Sequence, residues 1–188
     1  VFEYGSNTAP ILFGAAVCAA ASANDMSAPS VSLEGKNIWI AQSLPVPAWE
    51  ALRAKLSVHL ILTGIPVLFC DICVLIVLQG SALTAILLLA MTLLYVLLSA
   101  QFGLFINLKR PNLTWTREIT PIKQSMGVML SLFGGWAYAA IIAGVFLLLG
   151  HRLGGDAYLA VFSVINAVLS ILLYRWLKGK GAEIFAHL

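Results

Sequence analysis

Charged residues are scarce in this chain. Only 10% of its 188 residues are Asp, Glu, Lys or Arg, while 61% are hydrophobic and the mean hydropathy is +0.95. Soluble globular domains carry about 25% charged and 45–50% apolar residues. One small core cannot bury such an excess of apolar side chains, so many of them must face lipid. The composition therefore predicts an integral membrane protein.

The sequence also lacks the motifs of soluble enzymes. It has no G-x-x-x-x-G-K-[ST] loop to hold a nucleotide phosphate, no H-E-x-x-H metal motif and no G-x-S-x-G nucleophile elbow. The three histidines, His59, His151 and His187, are too scattered to form a ligand set. We therefore expect no enzyme activity, no metal and no cofactor on this chain, and no nucleic-acid partner.

The chain has only three cysteines. Cys18, Cys70 and Cys73 all lie in apolar stretches, so they do not suggest the disulfide framework of a secreted domain. Cys70 and Cys73 share the C-x-x-C spacing of redox and zinc sites, but they lie within a long apolar run. Thiols behave there as small apolar side chains, and we interpret the pair in that way.

Long apolar runs dominate what is present. A helix that spans a bilayer needs about 20 mostly apolar residues. Four runs meet that length: 57–79, 82–108, 125–150 and 157–177. A fifth run, 9–23, is shorter and alanine-rich, and is either the end of a span or a helix packed inside a bundle. The sequence predicts an all-α fold, a polytopic transmembrane helix bundle of about five spans, in a single domain over 1–188.

The basic residues are distributed unevenly between the loops. All but one of the 11 Lys and Arg residues lie in the loops 25–56 and 109–124 or in the C-terminal tail. The exception is Arg152, in the short turn 151–156. Lys and Arg favour the cytoplasmic side of a membrane. The sequence therefore predicts a multi-pass protein of the inner (plasma) membrane, with the N-terminus of this chain outside and its C-terminus in the cytoplasm.

The first long loop contains a short amphipathic segment. Residues 36–44 mix apolar and polar side chains, and are followed by Pro45 and Pro47, which disfavour helix at the preceding residue. We expect a short interfacial helix, a proline elbow and then a new helix that continues into the next span. Trp39 and Trp49 suit the depth of the lipid headgroups. The alternative is a solvated connector with two anchoring tryptophans.

Two polar residues, Asp71 and Asn166, lie inside apolar runs. Ionisable groups deep in a span are costly and tend to face the bundle interior or a water-filled path. At 1.5 Å per residue, Asp71 lies about 20 Å above the inner end of its helix. Asn166 lies nearer mid-depth, so the two side chains could meet on a substrate or ion route. The alternative is a protonated, hydrogen-bonded aspartate, or one that reaches water at the outer interface.

Small residues recur at every fourth position of the 125–150 run. They are Gly127, Ser131, Gly135, Ala139 and Ala143. Such a ridge lets a neighbouring helix approach closely, which stabilises packing where lipid offers no hydrophobic driving force. The neighbour could belong to this chain or to a second copy, and ordinary use of small residues is the alternative.

Two stretches of the loops resemble a known family. Residues 30–46 contain S-L-E-G-K-x-x-W followed by S-L-P, and residues 111–125 contain P-x-x-x-W-x-x-E followed by K-Q-S. In this order, the two patterns resemble bacterial permeases of the type-2 ATP-binding-cassette (ABC) exporter class. Such permeases carry no ATPase and dock through cytoplasmic helices on a separate nucleotide-binding subunit.

The resemblance implies a partner-docking surface in the two loops. In the first loop it would include Glu34, Gly35, Lys36, Trp39, Ser43 and Pro45. In the second loop, Pro111, Trp115, Glu118 and Lys123 would flank it. The resemblance also implies a nucleotide-binding ATPase subunit that holds ATP-Mg, and a pore built with a second permease copy. Since complete permeases of this class have more than five spans, we expect this chain to be the C-terminal portion of one.

The expected function is therefore that of a permease subunit that couples ATP hydrolysis on a partner to substrate export. Two other functions stay open. One is a non-transporting membrane anchor or assembly protein, whose loops bind a different cytoplasmic partner. The other is a secondary transporter that uses Asp71 for ion coupling. The exported substrate is not indicated by the sequence.

Overall fold

The computed structural model describes residues 8–78, 81–117, 119–123 and 125–188, and every regular element in these ranges is helical. The α-helices are α1 Thr8–Ala23, α2 Ile38–Ser43, α3 Ala48–Leu78, α4 Ala82–Lys109, α5 Ile119–Lys123, α6 Met126–Leu153, α7 Gly155–Trp176 and α8 Ala182–Ala186. A 3-10 turn, Ser32–Asn37, precedes α2, and a π-helical turn, Leu177–Gly181, joins α7 to α8. The predicted all-α bundle is confirmed.

Within the part of the chain that the structure describes, four helical runs are long and apolar enough to cross a membrane. They are Ala48–Val77, Ala82–Lys109, Ile119–Leu148 and Gly155–Ala186. Their outer faces expose large apolar side chains such as Phe69, Ile76 and Leu148. Such surfaces are stable against lipid and unfavourable against water. The chain is therefore a membrane-embedded helical bundle.

The helix boundaries follow local sequence signals. α4 begins after Ser81, whose hydroxyl accepts the backbone N–H of Thr84 at 3.1 Å. α6 begins after Ser125, whose hydroxyl accepts the backbone N–H of Gly127 at 3.2 Å. Each serine thus satisfies a first-turn N–H that has no partner within its own helix. α3 begins directly after Pro47 and continues unbroken into the apolar run, as predicted for the helical lead-in.

Helix α4 lies at the centre of the bundle. It packs along α7 and also contacts α1, α3 and α6. Its Met91 belongs to an apolar cluster shared with α1, α6 and α7, and its Leu104 to a second cluster shared with α3 and α8. We call the end of the bundle that holds residues 24–47, 110–117 and α8 the loop end, and the opposite end the turn end. The position of the α4 residue that a side chain contacts therefore indicates the depth of that side chain between the two ends of the bundle.

The short fifth run forms helix α1, which packs into the bundle. Its 16 residues extend over about 24 Å, and α1 contacts α3, α4 and α6. Ile11, Ala15 and Cys18 on its inner face are almost fully buried. Helix α1 is therefore part of the bundle, and this packing fits both predicted alternatives, the end of a span and a helix held inside a bundle.

The ridge of small residues on α6 faces α1. A Cβ atom at Gly135 would lie 2.5 Å from the hydroxyl oxygen of Ser22 and 3.1 Å from that of Tyr95. Ala139, on the same face, is buried. On the neighbouring face, the indole N–H of Trp136 donates to the backbone oxygen of Ala19 at 3.1 Å. At Gly135 the neighbouring helix is therefore α1 of the same chain, whereas a Cβ atom at Gly127 would meet Ile106 of α4 at 3.5 Å.

The close approach at Gly135 generates a stability prediction. Gly135→Ala should lower the free energy of unfolding by about 1–3 kcal/mol, because its new methyl group overpacks the contact with Ser22. Gly144→Ala is the matched control, since a Cβ atom there meets nothing within 4 Å. Thermal unfolding in detergent measures both. A melting temperature for Gly135→Ala equal to that of the control would contradict the packing described.

Candidate functional site

The two long loops meet at the loop end of the bundle. The indole N–H of Trp115 donates to the backbone oxygen of Ser32 at 2.6 Å, although the two residues lie 83 positions apart. The backbone N–H of Asn112 donates to the hydroxyl oxygen of Ser32 at 3.0 Å. Ser32 is fully buried. The two stretches that resemble exporter permeases therefore form one structural unit, which we call the loop junction: Ser32, Gly35, Asn107, Asn112 and Trp115.

Asn107 of α4 holds the first loop in place. Its side-chain oxygen accepts the backbone N–H groups of Val31 at 2.8 Å and of Ser32 at 3.0 Å. Its side-chain nitrogen donates to the hydroxyl of Ser32 at 2.8 Å. Asn107 and Val31 are fully buried, so neither N–H group can turn to water instead. One amide side chain thus satisfies a non-helical segment inside the bundle.

Gly35 allows the loops to approach. Its φ of +52° lies in the left-handed region, which side chains other than glycine rarely adopt. A Cβ atom at this position would lie 3.0 Å from the ring of Trp115. Gly35 is buried, so it lies beneath the predicted docking surface and shapes it rather than contacting a partner directly.

Glu34 is bound to the membrane helix behind it. Its carboxylate forms an ion pair with the ammonium group of Lys55 on α3. The same ammonium group donates to the backbone oxygen of Ser30 at 3.0 Å. Both charged side chains are partly buried, where an ion pair is screened less than on an open surface. The pair fixes the 3-10 turn against α3.

Helix α2 presents an apolar surface outward. Trp39 is 61% exposed, and Ile40, Leu44 and Val46 are exposed beside it. We call these four residues the apolar strip. Ile38 points the other way and is buried against the cluster around Leu104.

The rest of the first-loop surface is polar or proline. Lys36, Ser43 and Pro45 are exposed around the apolar strip. The side-chain amide of Gln42 donates to the backbone oxygen of Phe185 at 2.9 Å, which joins α2 to α8. The predicted short helix is present, and the exposed surface around it combines aromatic, aliphatic and basic groups.

The second loop supports this surface from behind. Pro111 and Trp115 are half-buried, and α5 contacts the 3-10 turn of the first loop. Glu118 lies outside the described residues. Lys123 is the last residue of α5, and its side chain lies outside the described part of the structure. The described residues of the two predicted site segments therefore lie next to each other at the loop end.

Asp71 and Asn166 do not meet. The hydroxyl of Thr92 on α4 donates to Asp71 at 2.5 Å, whereas the hydroxyl of Tyr138 donates to the side-chain oxygen of Asn166 at 2.7 Å. The side-chain nitrogen of Asn166 also donates to the backbone oxygen of Met91 at 3.3 Å. The two residues therefore lie at a similar depth and bond to consecutive residues of α4, without a hydrogen bond to each other. One oxygen of the fully buried Asp71 has no hydrogen-bond partner among the described residues.

A cavity of about 390 Å³ lies between α1, α4, α6 and α7, towards the loop end. Its polar margin includes Asp25, Ser22 and Ser99, and its apolar wall is formed mainly by leucines of α7. The rings of Tyr95 and Tyr138 stack beside it, with centroids 5.8 Å apart and an interplanar angle of 10°. The cavity is large enough for a small organic ligand.

Asp25 and His59 were not predicted as site residues. Asp25 follows α1 directly, and its side chain is only 8% exposed. The Nδ1 atom of His59 on α3 lies 3.9 Å from Asp25 Oδ1, and both ring nitrogens of this fully buried histidine lack a hydrogen-bond partner in the described ranges. The backbone path brings these groups together, and no spacing in the sequence indicates it.

The cysteines contribute no site in the part of the chain that is described. Cys18 is buried, and Cys70 and Cys73 are exposed, free thiols on α3. No cluster of three or more His, Cys, Asp or Glu side chains that could hold a metal occurs among the described residues. The exposed pair faces outward from the bundle, in keeping with apolar behaviour of the thiols in a span.

Replacement of Asn107 tests the loop junction. Asn107→Leu should leave the N–H groups of Val31 and Ser32 unpaired, at a cost of about 1–3 kcal/mol for each. We expect faster hydrogen–deuterium exchange over residues 27–37 and a lower melting temperature. Asn37→Leu is the matched control, since Asn37 is exposed and its side chain makes no cap hydrogen bond. Equal exchange in the two variants would rule out this role for Asn107.

Comparisons with protein-family models, with curated proteins and with solved structures find no match for this chain. The helices and their composition therefore carry the assignment to membrane-embedded bundles. A functional assignment rests on three local features: the loop junction, the exposed apolar strip of α2 and the acidic cavity.

Proposed function

We propose that this chain is the permease subunit, or the C-terminal part of one, of an ATP-driven exporter of the ABC type. The observation that carries the proposal is the hydrogen bond from the indole N–H of Trp115 to the backbone oxygen of Ser32. Each residue belongs to one of the two stretches that resemble such permeases. Because this hydrogen bond joins the two stretches, they form a single surface at one end of the bundle. Docking on a separate ATPase requires such a surface.

Charge supports a cytoplasmic position for this surface. Lys36, Arg53 and Arg117 are exposed at or near the loop end, and Arg175 and Lys178 are exposed where α7 reaches it. Lys and Arg are enriched on the cytoplasmic side of membrane proteins. We infer that the loop end faces the cytoplasm, that the N-terminal end of α1 faces outward and that the protein lies in the plasma membrane.

The coupling path begins at α2. In the proposed mechanism the partner binds ATP-Mg, and its movement displaces the apolar strip. Gln42 passes that displacement to α8 through the backbone of Phe185. The proline elbow passes it to α3, which begins at Ala48 and runs to the turn end. The pair of Glu34 and Lys55 adds a second connection to α3.

Docking predicts a selective loss of partner binding. Trp39→Ala and Lys36→Glu should each reduce co-purification of a phosphate-loop ATPase at least tenfold, because each removes an exposed group of the α2 surface. They should also abolish stimulation of its ATP hydrolysis. The complete transporter would be purified from its native membrane in mild detergent, and the recovered subunit assayed for ATPase activity.

Two controls separate docking from folding. Phe69→Ala removes an exposed aromatic ring from the outer face of α3, and Lys178→Glu reverses an exposed charge beyond α7. Both should retain the ATPase. If wild-type protein recovers no ATPase, the exporter function is wrong and a membrane anchor or assembly protein takes its place. If both α2 variants retain full stimulation, the docking surface lies elsewhere.

Asp71 favours one second candidate, an ion-coupled secondary transporter. Its carboxyl group is fully buried, and one of its oxygens has no hydrogen-bond partner among the described residues, a feature that suits an ion site within a span. The exporter function predicts transport that requires ATP and survives in Asp71→Asn, whose amide oxygen still accepts the hydrogen bond from Thr92. Transport into vesicles that follows an imposed proton or sodium gradient, and disappears in Asp71→Asn, would favour the second candidate.

A further inference from the structure

We propose that the cavity between α1, α4, α6 and α7 binds a hydrophobic cation, such as an amphiphile with a protonated amine, and that the carboxylate of Asp25 is its counter-ion. This inference deepens the proposed function and rests on it, since it names the class of substrate that the permease would carry. Three properties of the cavity support it: its charge, its hydrogen-bonding capacity and its accessibility from the membrane.

The charge of the cavity is negative. Among the described residues that line it, Asp25 is the charged one, and none is Lys or Arg. Asp25 Oδ1 accepts hydrogen bonds from the Ser27 hydroxyl at 3.0 Å and the backbone N–H of Ala28 at 3.2 Å. No described residue donates a hydrogen bond to the second oxygen, Oδ2. His59 lies beyond hydrogen-bonding distance, so the carboxylate retains capacity for a cation.

The hydroxyl groups around the cavity are already used as donors. Ser22 donates to the backbone oxygen of Cys18 at 2.9 Å, and Ser99 to that of Val96 at 2.9 Å. The hydroxyl of Tyr95 donates to the backbone oxygen of Gly135, and the hydroxyl of Tyr138 donates to the side-chain oxygen of Asn166. Among the described lining hydroxyls, only that of Ser131 shows no such bond. A wall that offers a carboxylate and few free donors suits a cation and disfavours an anion.

Aromatic rings strengthen that preference. Tyr95, Tyr138 and Phe102 all line the cavity, and the face of an aromatic ring attracts a cation, most strongly where water is excluded. Leu98, Leu169 and Leu173 supply apolar contact for the rest of the ligand. The cavity therefore has a mainly apolar lining with one acidic residue, Asp25, at its margin.

Access to the cavity is lateral. α6 and α7 contact each other much less than α6 contacts α1 or α7 contacts α4. Leu169 and Leu172 line the cavity and are also exposed on the outer face of α7. A hydrophobic cation that partitions into the bilayer can therefore reach Asp25 from the membrane.

The test uses two ions of the same shape and opposite charge, tetraphenylphosphonium and tetraphenylborate. Each is measured by equilibrium dialysis against the full protein in nanodiscs, with empty nanodiscs as background. Wild-type protein should bind the phosphonium at least tenfold more tightly than the borate. Asp25→Asn, whose amide oxygen can still accept from Ser27 and Ala28, should weaken phosphonium binding about tenfold and leave borate binding unchanged or stronger.

Matched variants make the result specific to the cavity. Glu50→Gln makes the same change in charge at an exposed residue of α3 and should have no effect. Leu172→Trp should obstruct the opening and weaken binding of both ions, whereas Leu147→Trp, which is equally exposed but does not line the cavity, should not. Loss of binding in Asp25→Asn counts only if its melting temperature matches that of the wild type. Leu172→Trp tests the site independently of Asp25.

The outcomes distinguish this inference from the proposed function. Equal affinity for the two ions, or phosphonium binding that is insensitive to both Asp25→Asn and Leu172→Trp, would overturn the cation site even if an ATPase co-purifies. Asp25-dependent phosphonium binding without any ATPase partner would retain the cation site and remove the exporter function.

Discussion

The structure depends on how an irregular segment of backbone is satisfied inside a membrane bundle. Backbone N–H and C=O groups that are buried away from water must find hydrogen-bond partners within the protein. Residues 24–37 leave the helix of α1, pass beside the last turns of α4 and are partly buried there. Asn107 pairs two of their N–H groups, Asp25 pairs a third, and Trp115 pairs a carbonyl. Both loops and the start of α2 take their positions from these contacts.

Hydropathy predicts the long helices because every span has to place an unbroken apolar surface in lipid. The four long runs therefore become α3, α4, α6 and α7. It does not decide the role of the 9–23 run, because an alanine-rich helix of that length fits either a shortened span or a helix packed against others. Nor does hydropathy predict which helix this run packs against: Ser22 lies against Gly135, and no local pattern encodes a contact between residues more than 100 positions apart.

The candidate site is predictable only in part, for a related reason. A polar residue draws attention when its neighbours in sequence are apolar, as around Asp71. Asp25 lies at the start of a polar loop and does not stand out, yet it is nearly buried and lines a cavity. Asn107, at the end of an apolar run, has the appearance of a helix-terminal polar residue until the path of the first loop is known. The sequence draws attention to both loops, because the two together carry patterns that resemble those of one family, but it does not predict the hydrogen bonds that join them.

Helix α2 and the cavity that contains Asp25 lie at opposite ends of one segment. Asp25 lies at its start, and α2 follows its 3-10 turn. Gly103 of α4 brings the segment close, since a Cβ atom there would lie 2.5 Å from the hydroxyl oxygen of Ser27 and 2.6 Å from Asp25 Oδ1. Asn107 fixes the middle of the segment, so this part of the backbone cannot change shape to take up a displacement of α2. Under the proposed function, that rigidity carries a movement of the partner ATPase from the apolar strip to the counter-ion of the substrate.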